Sequence, residues 1–175
     1  MKKNWDKVLL IGFRGSGKTT IGKLLAERLS LSFLDLDEEI QRRVGLTIKE
    51  MVERYGWNYF RERERESLED LMNKSRCVVA LGGGSVLHAD LMEKLKERAL
   101  IIYLKISAET AVKRIERDPK TEHSRPSLSG LSLEEEVERV LKERVPLYER
   151  YADIIIDTDK ETVEEVLTEI LEQRG

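Results

Sequence analysis

Eight consecutive residues constrain this chain more than any other feature. Gly12-Phe13-Arg14-Gly15-Ser16-Gly17-Lys18-Thr19 fits the pattern G-x-x-x-x-G-K-[ST]. It stands between an apolar run, Val8 to Ile11, and an amphipathic stretch marked by Ile21, Leu24, Leu25 and Leu29. Glycines at such a strand-to-helix junction let the backbone curl so that several N–H groups converge on phosphate oxygens. The helix that follows aims its positive end at the same point. Gly15, Ser16, Gly17, Lys18, Thr19 and Thr20 are therefore the expected cradle of a nucleoside triphosphate. Lys18 would reach its β- and γ-phosphates, and the Thr19 hydroxyl would ligate Mg²⁺.

The rest of the chain continues the alternation that the loop begins. Further apolar runs lie at Phe33 to Leu36, Val78 to Leu81, Leu100 to Leu104 and Ile154 to Ile156, each too short for a stable helix. Between them come one-sided helical patterns, such as Leu91, Met92 and Leu95, then Ala108, Ala111, Val112 and Ile115, then Val163, Val166, Leu167 and Ile170. Buried strands alternating with such helices predict an α/β fold of three layers, a parallel sheet covered on both faces. A length of 175 residues suits a single domain over 1–175. Two stretches break the rhythm. Residues 38–73 hold only helical patterns, more chain than one crossover needs, and are expected to form a substrate-binding insertion. Residues 117–130 carry two prolines, a glycine and no periodicity, and are expected to form a lid.

Composition excludes several classes. A formal charge of −3 offers no broad basic face for nucleic acid. The apolar runs are too short to span a bilayer, and Met1-Lys2-Lys3-Asn4-Trp5-Asp6 has no apolar signal region. Cys77 is the sole cysteine, so no internal disulfide forms, and a cytoplasmic location is expected. With no heptad seam, a monomer is expected.

Absences narrow the choice among phosphate-loop proteins. Asn73-Lys74-Ser75-Arg76 ends in arginine where a guanine-reading carboxylate belongs. Val78-Val79-Ala80-Leu81 runs into Gly82-Gly83-Gly84 without the acidic residue of a motor ATPase. Carboxylates come instead from Leu34-Asp35-Leu36-Asp37. Side chains two apart on a strand share a face, which would point both aspartates into the crevice at the carboxyl ends of the strands. One would hold the metal and the other would meet an acceptor hydroxyl. The alternative is that Asp37 caps the helix beginning at Glu38.

Taken in order, the phosphate loop, Leu34-Asp35-Leu36-Asp37, Phe60-Arg61, Leu81-Gly82-Gly83-Gly84, Arg125-Pro126 and Arg144-Val145-Pro146-Leu147-Tyr148 resemble the shikimate kinase family over nearly the whole chain. The resemblance implies a five-stranded parallel sheet of order 2-3-1-4-5 and ATP-dependent phosphorylation of the 3-hydroxyl of shikimate. It implies that Arg61 and Arg144 hold the substrate carboxylate, a task suited to the planar guanidinium. By the same resemblance Gly82, Gly83 and Gly84 contact shikimate and Asp37 binds the reacting hydroxyl. Asp37 acts in catalysis with Lys18 and the lid residue Arg125, while Arg117 and Arg125 flank ATP and Thr19 and Asp35 hold Mg²⁺. ATP and shikimate are the implied partners. From the residues alone, Arg61 looks equally like part of a solvated helix face, as Arg63 and Arg65 do, and Arg117 suits a surface ion pair. His88 and His123 read as surface residues and Trp57 and Tyr59 as packing within the insertion; after the last strand, Asp157 to Glu161 lacks the arginine that some relatives set against adenine, and only Lys160 is basic there. Two alternatives remain, a kinase for gluconate or a nucleoside monophosphate, and a nucleotide-binding module without catalysis.

Overall fold

The computed structural model describes residues 3–118 and 132–174. Its five strands are β1 (Lys7–Ile11), β2 (Ser32–Asp35), β3 (Cys77–Ala80), β4 (Ala99–Lys105) and β5 (Ile154–Asp157). All pair in parallel, in the order β2-β3-β1-β4-β5, as the resemblance implies. Lys7 stands opposite Cys77 on one side and Ala99 on the other, which seats β1 at the centre. The chain runs first to one side of β1 and then to the other. A ligand crevice therefore opens beyond the carboxyl ends of β1 and its neighbours.

Strand residues alternate between two apolar layers because the side-chain period is two. Val8, Leu10, Val78, Ile102, Leu104 and Ile156 pack against α1 (Lys18–Leu29) and the last helix, α8 (Val163–Gln173). Leu9, Ile11, Val79, Ile101 and Tyr103 face the opposite layer, made by α2 (Leu36–Val44), α3 (Ile48–Tyr55), α4 (Trp57–Leu71), α5 (Ala89–Lys96) and α7 (Leu133–Tyr151). A third cluster joins Phe13 of the phosphate loop to α6 (Ala108–Arg117) and α7 through Ala111, Ile115, Val137 and Leu141. Close contact of α1 with the sheet rests on Gly22, where a Cβ would overlap the ring of Phe33.

Helices α2, α3 and α4 fill the interval between β2 and β3 where the sequence predicts an insertion. A capping box between Thr47 and Glu50 starts α3, which satisfies backbone donors at its first turn. One expectation is corrected here. Strand β2 stops at Asp35, and Leu36 already belongs to α2, so Asp35 and Asp37 are not paired on a strand face. It is Asp35 that caps α2, accepting from the Glu38 backbone N–H at 3.1 Å, while Asp37 sits in the first helical turn. The 19-residue α7 keeps its course through Pro146, whose missing N–H removes one internal bond. Of the expected lid, Arg117 and Asp118 are described; Arg125 and His123 lie outside the described residues. Among the described residues no helix is long and apolar enough to cross a membrane.

Candidate active site

The chain leaves β1 at Ile11 and turns through Gly12, Gly15 and Gly17, whose φ angles of 145, 85 and 92° lie in territory that favours glycine. At Gly12 a Cβ would come within 2.6 Å of the Leu104 carbonyl oxygen, so nothing larger lets the loop pass the end of β4. Gly17 then caps α1, and the Lys18 ammonium donates to the carbonyls of Gly12 and, at 3.2 Å, Phe13. The Thr19 hydroxyl donates to Oδ2 of Asp35 at 2.6 Å. Two hard oxygens thus stand side by side at the loop. That set fits Mg²⁺, which takes one or two protein oxygens and fills its octahedron with water and phosphate. Among the described residues no group of three or more His, Cys, Asp and Glu side chains forms a metal cage.

A second pocket adjoins the loop, lined by Asp37, Trp57, Phe60, Arg61, Glu64, Arg144 and the glycines 82–84, with Phe13 and Arg14 at its edge. Each glycine is matched to a polar side chain. A Cβ at Gly82 would fall 2.5 Å from Oδ1 of Asp37, one at Gly84 would sit inside the Arg61 guanidinium, and one at Gly83 would lie 3.4 Å from Nη1 of Arg144. The absence of side chains on this turn is what lets three functional groups converge. Arg61 lies over the rings of Trp57 and Phe60, 5.3 Å from each centroid, and cation–π attraction helps hold it there. Its Nη1 donates to Oε1 of the buried Glu64 at 2.8 Å. Arg144 and Tyr148 lie one turn apart on α7, hence on the same face. The Tyr148 hydroxyl donates to the Gly83 carbonyl at 2.6 Å, which locks that face onto the glycine turn.

Asp37, only 8 % exposed, lines both this pocket and the cavity around the phosphate loop, and so does Arg14. Arg14 is steered from α7 by Glu136, with Nη2 and Oε1 3.7 Å apart. A third cavity opens on the far side of the loop, between Gly15, Gly17, Thr20 and Ile21 and the residues Arg114, Thr158, Glu161, Val163 and Val166. Arg114 donates to the carbonyls of Gly15 at 2.9 Å and Thr158 at 3.1 Å. Desolvation and the carboxylates of Glu169, Glu165 and Asp157 hold the Glu161 carboxyl above its ordinary range.

A sequence model of the family described as shikimate kinase matches residues 14–174. The shikimate kinase of Syntrophus aciditrophicus is 42 % identical over 172 residues, spanning 94 % of this chain and 88 % of that one. That of Methylococcus capsulatus is 39 % identical, spanning 97 % and 92 %. The chain belongs to the shikimate kinase family. Its fold agrees with the solved shikimate kinase from Acinetobacter baumannii in complex with shikimate, with a TM-score of 0.89 at 35 % identity over 98 % of this chain and 93 % of that one. The shikimate kinase of Aquifex aeolicus gives 0.79 at 36 %, over 95 % and 94 %.

Within this member of the shikimate kinase family, Asp37, Arg61, Gly82, Gly83, Gly84 and Arg144 all meet in one pocket, and Gly15 to Thr20 with Asp35 line the adjoining cavity. Arg117 does not join them. It is exposed at the end of α6, a turn beyond the loop, and the arginine that lies against the loop is Arg114. Lys160 is likewise exposed and does not line the third cavity. Trp57 does more than pack the insertion, since it forms a wall of the pocket that holds Arg61 and Arg144; the signal was its place one turn before Arg61 on the same helical face. Tyr59 packs on Tyr55 and Arg63, as expected. Glu64 is hidden in sequence within an alternation of Arg and Glu, and His88 is partly buried against it rather than a plain surface residue.

Proposed function

We propose that this chain catalyses transfer of the γ-phosphoryl group of ATP to the 3-hydroxyl of shikimate, giving shikimate 3-phosphate and ADP in the pathway to chorismate and the aromatic amino acids. One observation carries it: Asp37 and Arg14 line both the phosphate-loop cavity and the pocket holding Arg61 and Arg144. A triphosphate gripped at one end and an organic acid at the other would present an alcohol to the terminal phosphorus beside Asp37.

In this scheme the backbone N–H groups of Gly15 to Thr20 and the Lys18 ammonium hold the β- and γ-phosphates. The adenine enters the cavity beside Arg114, Ile21 and Val163. Arg61 and Arg144 take the shikimate carboxylate by charge-assisted hydrogen bonds, and the glycine turn admits the ring. Asp37 orients the reacting hydroxyl and accepts its proton as the new P–O bond forms and the bond to the ADP oxygen breaks. Mg²⁺ held by Thr19 and Asp35 would screen charge between the phosphates. The enzyme is taken as a cytoplasmic monomer.

Release of ADP, measured with shikimate, gluconate and nucleoside monophosphates in turn, tests the assignment. A signal that depends on shikimate is expected. Turnover with another acceptor in its place overturns the substrate, and silence with all of them overturns catalysis.

A further inference from the structure

Arg61 is held from behind by a carboxylate that it does not have to itself. Oε1 of Glu64 accepts from Nη1 of Arg61 at 2.8 Å and stands 2.9 Å from Nε2 of His88. The Ser85 hydroxyl approaches the other oxygen at 3.4 Å. Glu64 is 1 % exposed, and the His88 side chain 11 %. His88 follows the short 3₁₀ turn after the glycine run and leads into α5, so it reaches the same Oε1 of Glu64 from a different element than Arg61 of α4. One buried carboxylate is thus shared between a guanidinium of permanent charge and an imidazole, a group whose charge changes within roughly pH 5–8 as a class.

We propose that His88 is a positioning residue for the acid group of the acceptor, acting through Glu64 on Arg61. This rests on the assignment of Arg61 to the substrate carboxylate. With the imidazole neutral, Glu64 directs its full negative charge at Arg61 and competes with the substrate for the guanidinium. Protonation of His88 pairs Glu64 with a second cation. The competing carboxylate is then neutralised, the pocket gains one positive charge, and Arg61 is released toward the incoming acid. An ionised Glu64 only accepts, so the neutral tautomer that bonds it is the one with hydrogen on Nε2, and protonation at Nδ1 keeps that bond while changing the charge.

Other charged groups border this corner. Arg65 of α4 pairs with Asp90 of α5, its Nη1 3.0 Å from Oδ1, and Arg144 of α7 lies by Gly83. Asp37 stands beyond the glycine turn, against Gly82. Shikimate, an ordinary carboxylic acid, stays ionised above about pH 5, so its own titration does not blur the effect.

The sign follows directly: shikimate binds more tightly on the acid side. For the wild type, KM for shikimate and its equilibrium Kd without nucleotide, read from Trp57 fluorescence, are expected to rise roughly threefold or more from pH 6 to pH 8, as one added charge in a half-buried pocket warrants. His88→Gln and His88→Asn are expected to give a flat profile near the wild-type value at pH 8, with the change falling on KM rather than kcat. Wild-type and variant profiles that run parallel overturn the proposal, as does a flat wild-type profile, which decides the matter even if both variants fail to fold. Absence of any shikimate-dependent turnover by the wild type overturns the functional assignment itself, a separate outcome.

Discussion

The proposed transfer asks more of Asp37 than of any other single residue, because it is the carboxylate common to both halves of the crevice. Replacing it by asparagine keeps the shape beside Gly82 and removes both the charge and the capacity to accept a proton. In Asp37→Asn we expect kcat to fall by about 10² or more, the scale of lost general-base assistance, while KM for ATP stays within about twofold. Steady-state rates with each substrate varied check this, and a kcat near wild type would take Asp37 out of the chemistry. The aspartate is visible in sequence, but what directs it is not. A strand face does not aim it; the first turn of α2 does, with Asp35 as the cap. The two arginines of α6 show the same limit. Arg114 and Arg117 look alike in sequence, and only the docking of α6 on the phosphate loop separates the one that touches Gly15 from the one in solvent.

At the scale of elements, the pocket of Arg61 and Arg144 depends on how α7 meets the turn after β3. Its contact is specific: the buried Tyr148 hydroxyl on the Gly83 carbonyl, with Arg144 one turn earlier reaching over the same glycine. Tyr148→Phe leaves that carbonyl without its tyrosine donor. We expect a loss of about 1 kcal/mol in stability, the usual net worth of such a bond, read from denaturant unfolding. We also expect KM for shikimate to rise several-fold, while KM for ATP moves by less than about twofold. Equal effects on both substrates would mean that the bond serves the fold alone. The motif Arg144-Val145-Pro146-Leu147-Tyr148 was legible as a unit, yet its proline gives no hint of a helix running from Leu133 to Tyr151. Tertiary packing of Val137, Leu141, Tyr148 and Tyr151 outweighs the one missing hydrogen bond.

For the molecule as a whole, the ionic surface sets the response to acid. Glu39 is held down to about 2 by the hydrogen bond from Arg42, then by Arg43, and Asp90 to about 2 by the hydrogen bond from Arg65. Their ordinary values are 4.5 and 3.8. A carboxyl depressed in the folded state stabilises the fold fully above its unfolded value, and that contribution disappears as pH falls toward the folded value. Tm is therefore expected to decline as pH is lowered from about 5 to 2, and the decline should be shallower in Glu39→Gln. Calorimetry over that range checks it; identical slopes would mean that the Arg42 and Arg43 pairs make no contribution. Each exposed pair is worth little, so the effect at neutral pH is small and should shrink further with salt.

The order of buried strands and one-sided helices, the phosphate loop and the glycine run were determined locally. Period, glycine and proline placement, and the spacing of a short motif are properties of neighbouring residues. Sequence by itself thus determined the sheet class, the place of the phosphate loop and the residue types at the carboxyl ends of the strands. Tertiary structure alone decided which of several arginines faces the crevice, that Trp57 walls the pocket, and that Glu64 lies between Arg61 and His88. Those facts depend on the angle at which α4, α6 and α7 dock on the sheet. Contacts between elements distant along the chain set that angle, and no window of neighbouring residues contains them.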